Sequence, residues 1–379
     1  MNVERLHLIV DAALKAVERA AILADLQRLS GFLLNQVNDP ATPSYQQQVS
    51  TVLERLRESL EKVETNDFPP AWKQALEELH LSHFIGSKLL EVIDEIFSRN
   101  AITPSIALKE IQEEQNEFEA DVSAATEIIK GLGRLEIAKD DLKPGEAEIG
   151  LLVPRESIDS KLDRFAKELA DTAKIVRVFE ELTTGQRRDP TIKTISSSDL
   201  TVLLDIWPVS GVALATAIER IAAFYKQTLE IKKLKGEIKK LSLPQKMGEQ
   251  LDAQANEKME SNLRDLRDEL IQKYEGDAAR KNELENELLI SLHRIANKLD
   301  QGIHYEFRAA EPTAAADEEP DEHTLLRTHV RTINEIGSRL VFLPTVEGRI
   351  LQLNTDDGEL SNGSDASVPA RGEETKKKK

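Results

Sequence analysis

The sequence predicts a mainly α-helical protein with a small α+β core, on three observations. The palette is aliphatic and charged: of 379 residues, 4% are aromatic and 31% charged, which suits helices with one apolar stripe better than sheets. Through most of the chain leucine and isoleucine recur three or four positions apart, which places them on one helical face. Short apolar runs and period-two alternation between turn residues, the marks of strands, gather mainly between residues 134 and 308. The expected architecture is an N-terminal antiparallel helical bundle over residues 1–131, then an α+β core over 134–308. That core holds a short three-stranded sheet covered by two helices, and a long helical hairpin or coiled coil over 209–302.

The first 130 residues read as four helices. The first carries Leu6, Val10, Leu14 and Val17, then continues on a shifted face as Ile22, Leu26, Leu29 and Leu33. Asn38-Asp39-Pro40 stops it, and Thr42-Pro43 supplies a cap and first-turn proline for the second, with Val49, Leu53, Leu56, Leu60 and Val63. After Pro69-Pro70 the third carries Trp72, Leu76, Leu79, Leu90, Ile93 and Phe97. Thr103-Pro104 opens the fourth, with Leu108, Ile111, Phe118, Val122 and Ile129. Short connections between helices of this length imply antiparallel neighbours.

Glu148 to Pro154 is an apolar run between turn residues and reads as a buried strand; a helix follows with Ile158, Leu162, Phe165, Leu169, Val176 and Phe179. Thr191 to Ile195 and Leu200 to Ile206 read as two more strands. From Val209 to Leu241 the pattern is one helix, interrupted by Leu243-Pro244; two further helices carry Met247 to Tyr274 and Leu284 to Leu299. Ile303 to Arg308 is a candidate last strand. Residues 309–322 have a linker's composition, 323–353 hold a short helix and a possible strand at Arg349–Leu353, and the polar tail over 354–379 reads as disordered.

The formal net charge of −18 repels phosphate backbones, which disfavours a general nucleic-acid binder. With no cysteine in the chain, thiolate nucleophiles, disulfides and cysteine zinc sites are excluded, and a reducing compartment is expected. Glu4 and Asp11 interrupt what would be the core of a secretory signal, and the uncharged run from Ile206 to Ile218 is too short to span a bilayer. A soluble, cytoplasmic protein with no membrane span is the expectation.

The sequence holds no GxxxxGK loop, no GxGxxG after a strand, no GxSxG elbow and no HExxH. Ser197, Ser198 and Asp199 share a loop with no histidine near them in sequence. Two Glu-x-x-His steps, Glu4/His7 and Glu77/His80, could serve a carboxylate-bridged di-metal bundle, with Glu54 or Glu58 and Glu117 or Glu119 as further ligands. Glu4 lies in a fraying first turn, however, and no glutamate interrupts the stripes of helices two and four, so no metal or cofactor is expected. His83 falls on the apolar stripe of the third helix and reads as a satisfied core histidine.

The one local charge anomaly is basic. Within residues 226–246, Lys226, Lys232, Lys233, Lys235, Lys239, Lys240 and Lys246 face only Glu230 and Glu237. An anionic partner is one reading. The other is pairing within the hairpin, since residues 249–269 carry seven acidic side chains against three basic ones. Gly185-Gln186-Arg187-Arg188 is a smaller basic turn at a helix end, where the helix dipole already favours cations.

The functional expectation is a non-catalytic interaction or scaffold protein, with no catalytic residues, that binds partner helices or its own copies. The alternative is an accessory subunit holding an anionic partner such as nucleic acid through the lysine-rich helix, with Lys232, Lys233, Lys235, Lys239 and Lys240 as the contact residues.

Overall fold

The computed structural model describes residues 2–196, 200–240, 245–313, 320–342 and 350–355; the side chains of 231–232, 234–240, 245–249 and 320 lie outside that description. The protein is mostly helical, with a small antiparallel sheet of four strands. Among the described residues no helix is long and apolar enough to cross a membrane.

Six α-helices, not four, fold the first 134 residues: α1 (Val3–Arg19), α2 (Ile22–Asn38), α3 (Pro43–Lys62), α4 (Pro70–Glu78), α5 (Gly86–Arg99) and α6 (Pro104–Arg134). The expected first helix breaks where its apolar face shifts, since one straight helix cannot bury both stripes. Ala21 takes a left-handed φ of 55° at the break. The expected third helix breaks between α4 and α5, where Leu79, Leu81, Phe84 and Ile85 leave the helical period and His80 takes a φ of 58°. The chain then passes so close to α3 that a Cβ on Gly86 would stand 2.3 Å from the Leu60 carbonyl oxygen, which only glycine permits. Leu26, Leu56, Phe84, Ile93 and Phe118 are fully buried in the resulting core.

The second core forms on the sheet. Strands β1 (Ala147–Val153), β2 (Ile192–Ser196), β3 (Leu200–Ile206) and β4 (His304–Ala309) take the order β2-β3-β1-β4. The expected count of three is short by β4, which pairs antiparallel with β1 with Ile149 opposite Phe307. Local patterning gives such a strand no partner, because its neighbour lies some 150 residues back in the chain. Nor do two helices suffice as cover. One face is covered by α7 (Leu162–Thr184), α8 (Pro208–Lys240), α10 (Ala278–Asp300) and α11 (Pro320–Arg339), with α9 (Gln245–Ile271) packed on α8 and α10. Its core includes Ile149, Leu151, Val176, Phe179, Ile218, Leu292 and Phe307.

Helix α11 begins at Pro320, inside the expected linker, and residues 356–379 of the expected disordered tail lie outside the described residues. From Ile350 on, the expected strand at Arg349–Leu353 joins no sheet. It crosses α9 and α10 and bonds to their side chains: Asp300 accepts from the Ile350 and Leu351 N–H groups, and Asn297 from that of Leu353.

Candidate functional site

Side chains alternate across a strand, so the residues between the apolar ones point to the opposite face of the sheet. On β1 these are Glu148, Gly150 and Leu152; on β3, Thr201, Leu203 and Asp205; on β4, His304, Glu306 and Arg308. This second face meets α1 and α4. It is a polar layer between two apolar cores.

Its centre is Arg5. Asn2 caps α1 by accepting from the Arg5 N–H at 2.9 Å, which fixes the first turn and aims the guanidinium at the sheet. Arg5 Nη1 donates to Glu148 Oε1 at 2.8 Å and Asp140 Oδ2 at 3.2 Å, and Nη2 donates to Glu306 Oε1. Arg308 Nε reaches Glu148 Oε1 at 2.8 Å, and its Nη1 reaches the Asp140 carbonyl oxygen at 2.8 Å. The segment between α6 and β1 straps α1 in place: the Asp140 N–H donates to the Glu4 carbonyl, His7 Nδ1 meets the Ile137 carbonyl at 2.9 Å, and Lys139 pairs with Asp11.

Arg5, Glu148 and Glu306 are 7%, 2% and 3% exposed, and their proton affinities diverge. Burial pushes the Glu306 carboxyl up, and Glu148 beside it adds to this against the pull of Arg5. Burial pushes Glu148 up too, but Arg308 and Arg5 outweigh it and hold this carboxyl below its ordinary range. Two guanidiniums therefore serve three carboxylates, and Glu306 is the one left short of cationic partners.

A cavity of about 80 Å³ opens beside this network, between α1, α4 and the sheet. Ile9, Trp72, Ala75, Leu152 and Leu203 give it apolar walls, and Glu306, Thr194 and Thr201 give it polar ones. Glu306 Oε2 and Trp72 Nε1 are buried without a hydrogen-bond partner. Gly150 makes this arrangement possible: a Cβ there would lie 2.5 Å from Glu306 Cγ and 3.0 Å from Leu203 Cδ2.

The residues singled out from sequence are elsewhere. Lys233 is exposed on α8; the side chains of Lys232, Lys235, Lys239 and Lys240 are outside the described residues, as are Ser197, Ser198 and Asp199. His80 lies beyond the end of α4, and Glu77 pairs with Lys88, so this Glu-x-x-His step shares no helical face. His7 is buried against the Ile137 carbonyl while Glu4 is exposed. His83 sits in a 3₁₀ turn rather than on a helical stripe: Nδ1 meets Asp121 at 3.0 Å, and Nε2 stands 3.6 Å from Glu114 and 3.9 Å from Glu117. The imidazole thus faces three carboxylates of α6, of which only Glu117 figured in the sequence reading. Arg188 pairs with Glu180 and Asp205 and lies over the Trp207 ring at 5.2 Å, so the basic turn after α7 anchors the fold locally.

Sequence reasoning missed Arg5, Glu148, Glu306 and Arg308. The available signal was charge at alternate positions of strands that are otherwise apolar. Lys298, whose ammonium burial pushes toward neutrality, is bonded to the Glu168 carboxylate and to its carbonyl oxygen at 3.2 Å. No protein-family model, curated protein or solved structure matches this chain.

Proposed function

We propose that the protein is a non-catalytic interaction protein that self-associates through the free edge of its sheet, with the N-terminal helices as a bundle and the α8–α9 hairpin as its scaffold. The observation that carries this is a difference between the two edges. At β4 the edge is closed: Asn334 of α11 donates to the Ala309 carbonyl and accepts from its N–H. At β2 no strand or helix among the described residues pairs with the outer side. Ile192 and Ile195 of this strand are 59% and 54% exposed. Unprotected apolar edges are pairing sites, and a second copy of β2 meets this one antiparallel about a twofold axis, with each apolar patch on its counterpart.

Light scattering coupled to size exclusion tests the reading. A dimer is expected, reduced to a monomer by Ile192→Lys with Ile195→Lys; a strict monomer across a wide concentration range overturns it. A second reading draws on Lys226 and Lys233, both exposed on α8: an anionic partner held by the lysine run. Gel shifts with short RNA and DNA that survive physiological salt, and vanish when Lys232, Lys233, Lys239 and Lys240 become Glu, favour that role instead.

A further inference from the structure

We infer that the cavity between α1, α4 and the sheet binds a small organic ammonium with an apolar body, at a site on the opposite face of β2 from Ile192 and Ile195. Arg5 and Arg308 face Glu148, Glu306 and Asp140, one carboxylate more than the guanidiniums neutralise. A buried carboxylate oxygen without a partner is costly, and Glu306 Oε2 is such an atom, on a side chain 4% exposed that lines the cavity. A cationic N–H donor satisfies both the charge and the open acceptor.

The walls decide what carries that cation. A bare metal ion needs several oxygen ligands, and Glu306 has one oxygen left to offer. An alkylammonium needs less. Its nitrogen donates to Glu306 Oε2, with the Thr194 and Thr201 hydroxyls lining the same cavity as further acceptors. Its carbon chain lies against Ile9, Ala75, Leu152 and the Trp72 indole, an aromatic face that also attracts cations. Trp72 Nε1–H, buried and unpartnered, is a second open valence that an oxygen on the ligand would fill. The site draws on both halves of the chain, with Ile9, Trp72 and Ala75 from one and Leu152, Thr201 and Glu306 from the other, so neither half makes it alone.

The protein supplies its own reporter. It has two tryptophans, and Trp207→Phe leaves Trp72 as the sole indole in the full-length chain. Titration of this variant with ethylamine, small enough for the cavity, is expected to shift Trp72 emission saturably. The isosteric ethanol should bind about tenfold more weakly or worse, the loss of one charge-assisted hydrogen bond. Glu306→Gln should weaken the amine about tenfold while leaving the alcohol unchanged. If that variant does not fold, Ala75→Leu fills the cavity from α4 without touching the ion pairs and should abolish both titrations. Equal binding of amine and alcohol overturns the inference, as does an unchanged amine affinity in either variant. A cavity that holds only water gives no saturable signal with any probe, and that too overturns it.

Discussion

The two faces of the sheet are built from alternate residues of the same strands, yet they are held by different forces. On one, Ile149, Leu151, Val202 and Phe307 enter an apolar core with the helices that cover them; burial of hydrocarbon holds that face, and many neighbours share the contribution. On the other, α1 and α4 meet the sheet through Arg5, Glu148, Glu306 and Arg308, where desolvation opposes attraction and the balance depends on each partner being present. The apolar face should tolerate conservative change and ignore pH. The polar face should do neither.

The largest effect is expected from removing the central cation. Arg5→Met leaves Glu148 and Glu306 buried without it and should cost about 3–5 kcal/mol at neutral pH. Chemical denaturation across a pH series separates this from Leu151→Ala on the apolar face, which should cost about 2–5 kcal/mol through a cavity. Glu148 has its carboxyl depressed, so its contribution is complete above the ordinary carboxylate range and is lost as pH falls through the folded value. The Arg5→Met deficit should therefore shrink in acid, and the Leu151→Ala deficit should hold. A deficit for Arg5→Met that is constant in pH would show that packing, and not charge, joins the two cores.

Replacing Arg5, Glu148 and Glu306 together by Met, Leu and Leu sharpens the comparison, because it removes the three most buried charges at once and leaves Arg308 with Asp140 as its partner. This variant should recover to within about 2 kcal/mol of the wild type, measured by the same denaturation, and should lose the Trp72 response to amines. Next in size is Gly150→Ala, whose Cβ would press on Glu306 and Leu203 and should cost about 1–3 kcal/mol. Glu306→Gln, with the same shape, would not relieve that clash; Leu203→Ala should relieve part of it.

The smallest effect concerns His304, on the same face as Glu306 and stacked on Phe342 at 4.4 Å. Burial lowers its pKa to about 4, so the unfolded chain takes up this proton first as pH falls. Stability from a neutral His304 is complete above the ordinary histidine value and is lost between roughly pH 6.5 and 4, by about 1–3 kcal/mol. The difference in stability between wild type and His304→Gln should fall over that window. A difference independent of pH there would mean that the imidazole is already solvated.

Much of the helical framework was legible because three-four periodicity is a local property. Val49, Leu53, Leu56 and Leu60 mark α3 without reference to anything else, and Pro43 and Pro104 mark where helices begin. Breaks within helices were less so: the shifted face at Ile22 was visible, but the left-handed Ala21 that resolves it depends on the packing of both halves. The candidate site was not legible. Glu148 read as the margin of an apolar strand and Glu306 as one position of an optional last strand, while nothing in the local pattern singled out Arg5.

What the sequence determined by itself is the helical character, many of the residues that line the two cores and the absence of familiar catalytic motifs, since period and composition are set by neighbours along the chain; Leu162, on an expected apolar stripe, is 80% exposed. Tertiary structure alone decided that Arg5 and Glu306, 301 positions apart, would share a proton-sensitive ion pair beside a cavity. The physical reason is that a charge has no inherent partner. Its energy is fixed by what surrounds it after folding, when β4 lies beside β1 and Arg5 of α1 reaches both.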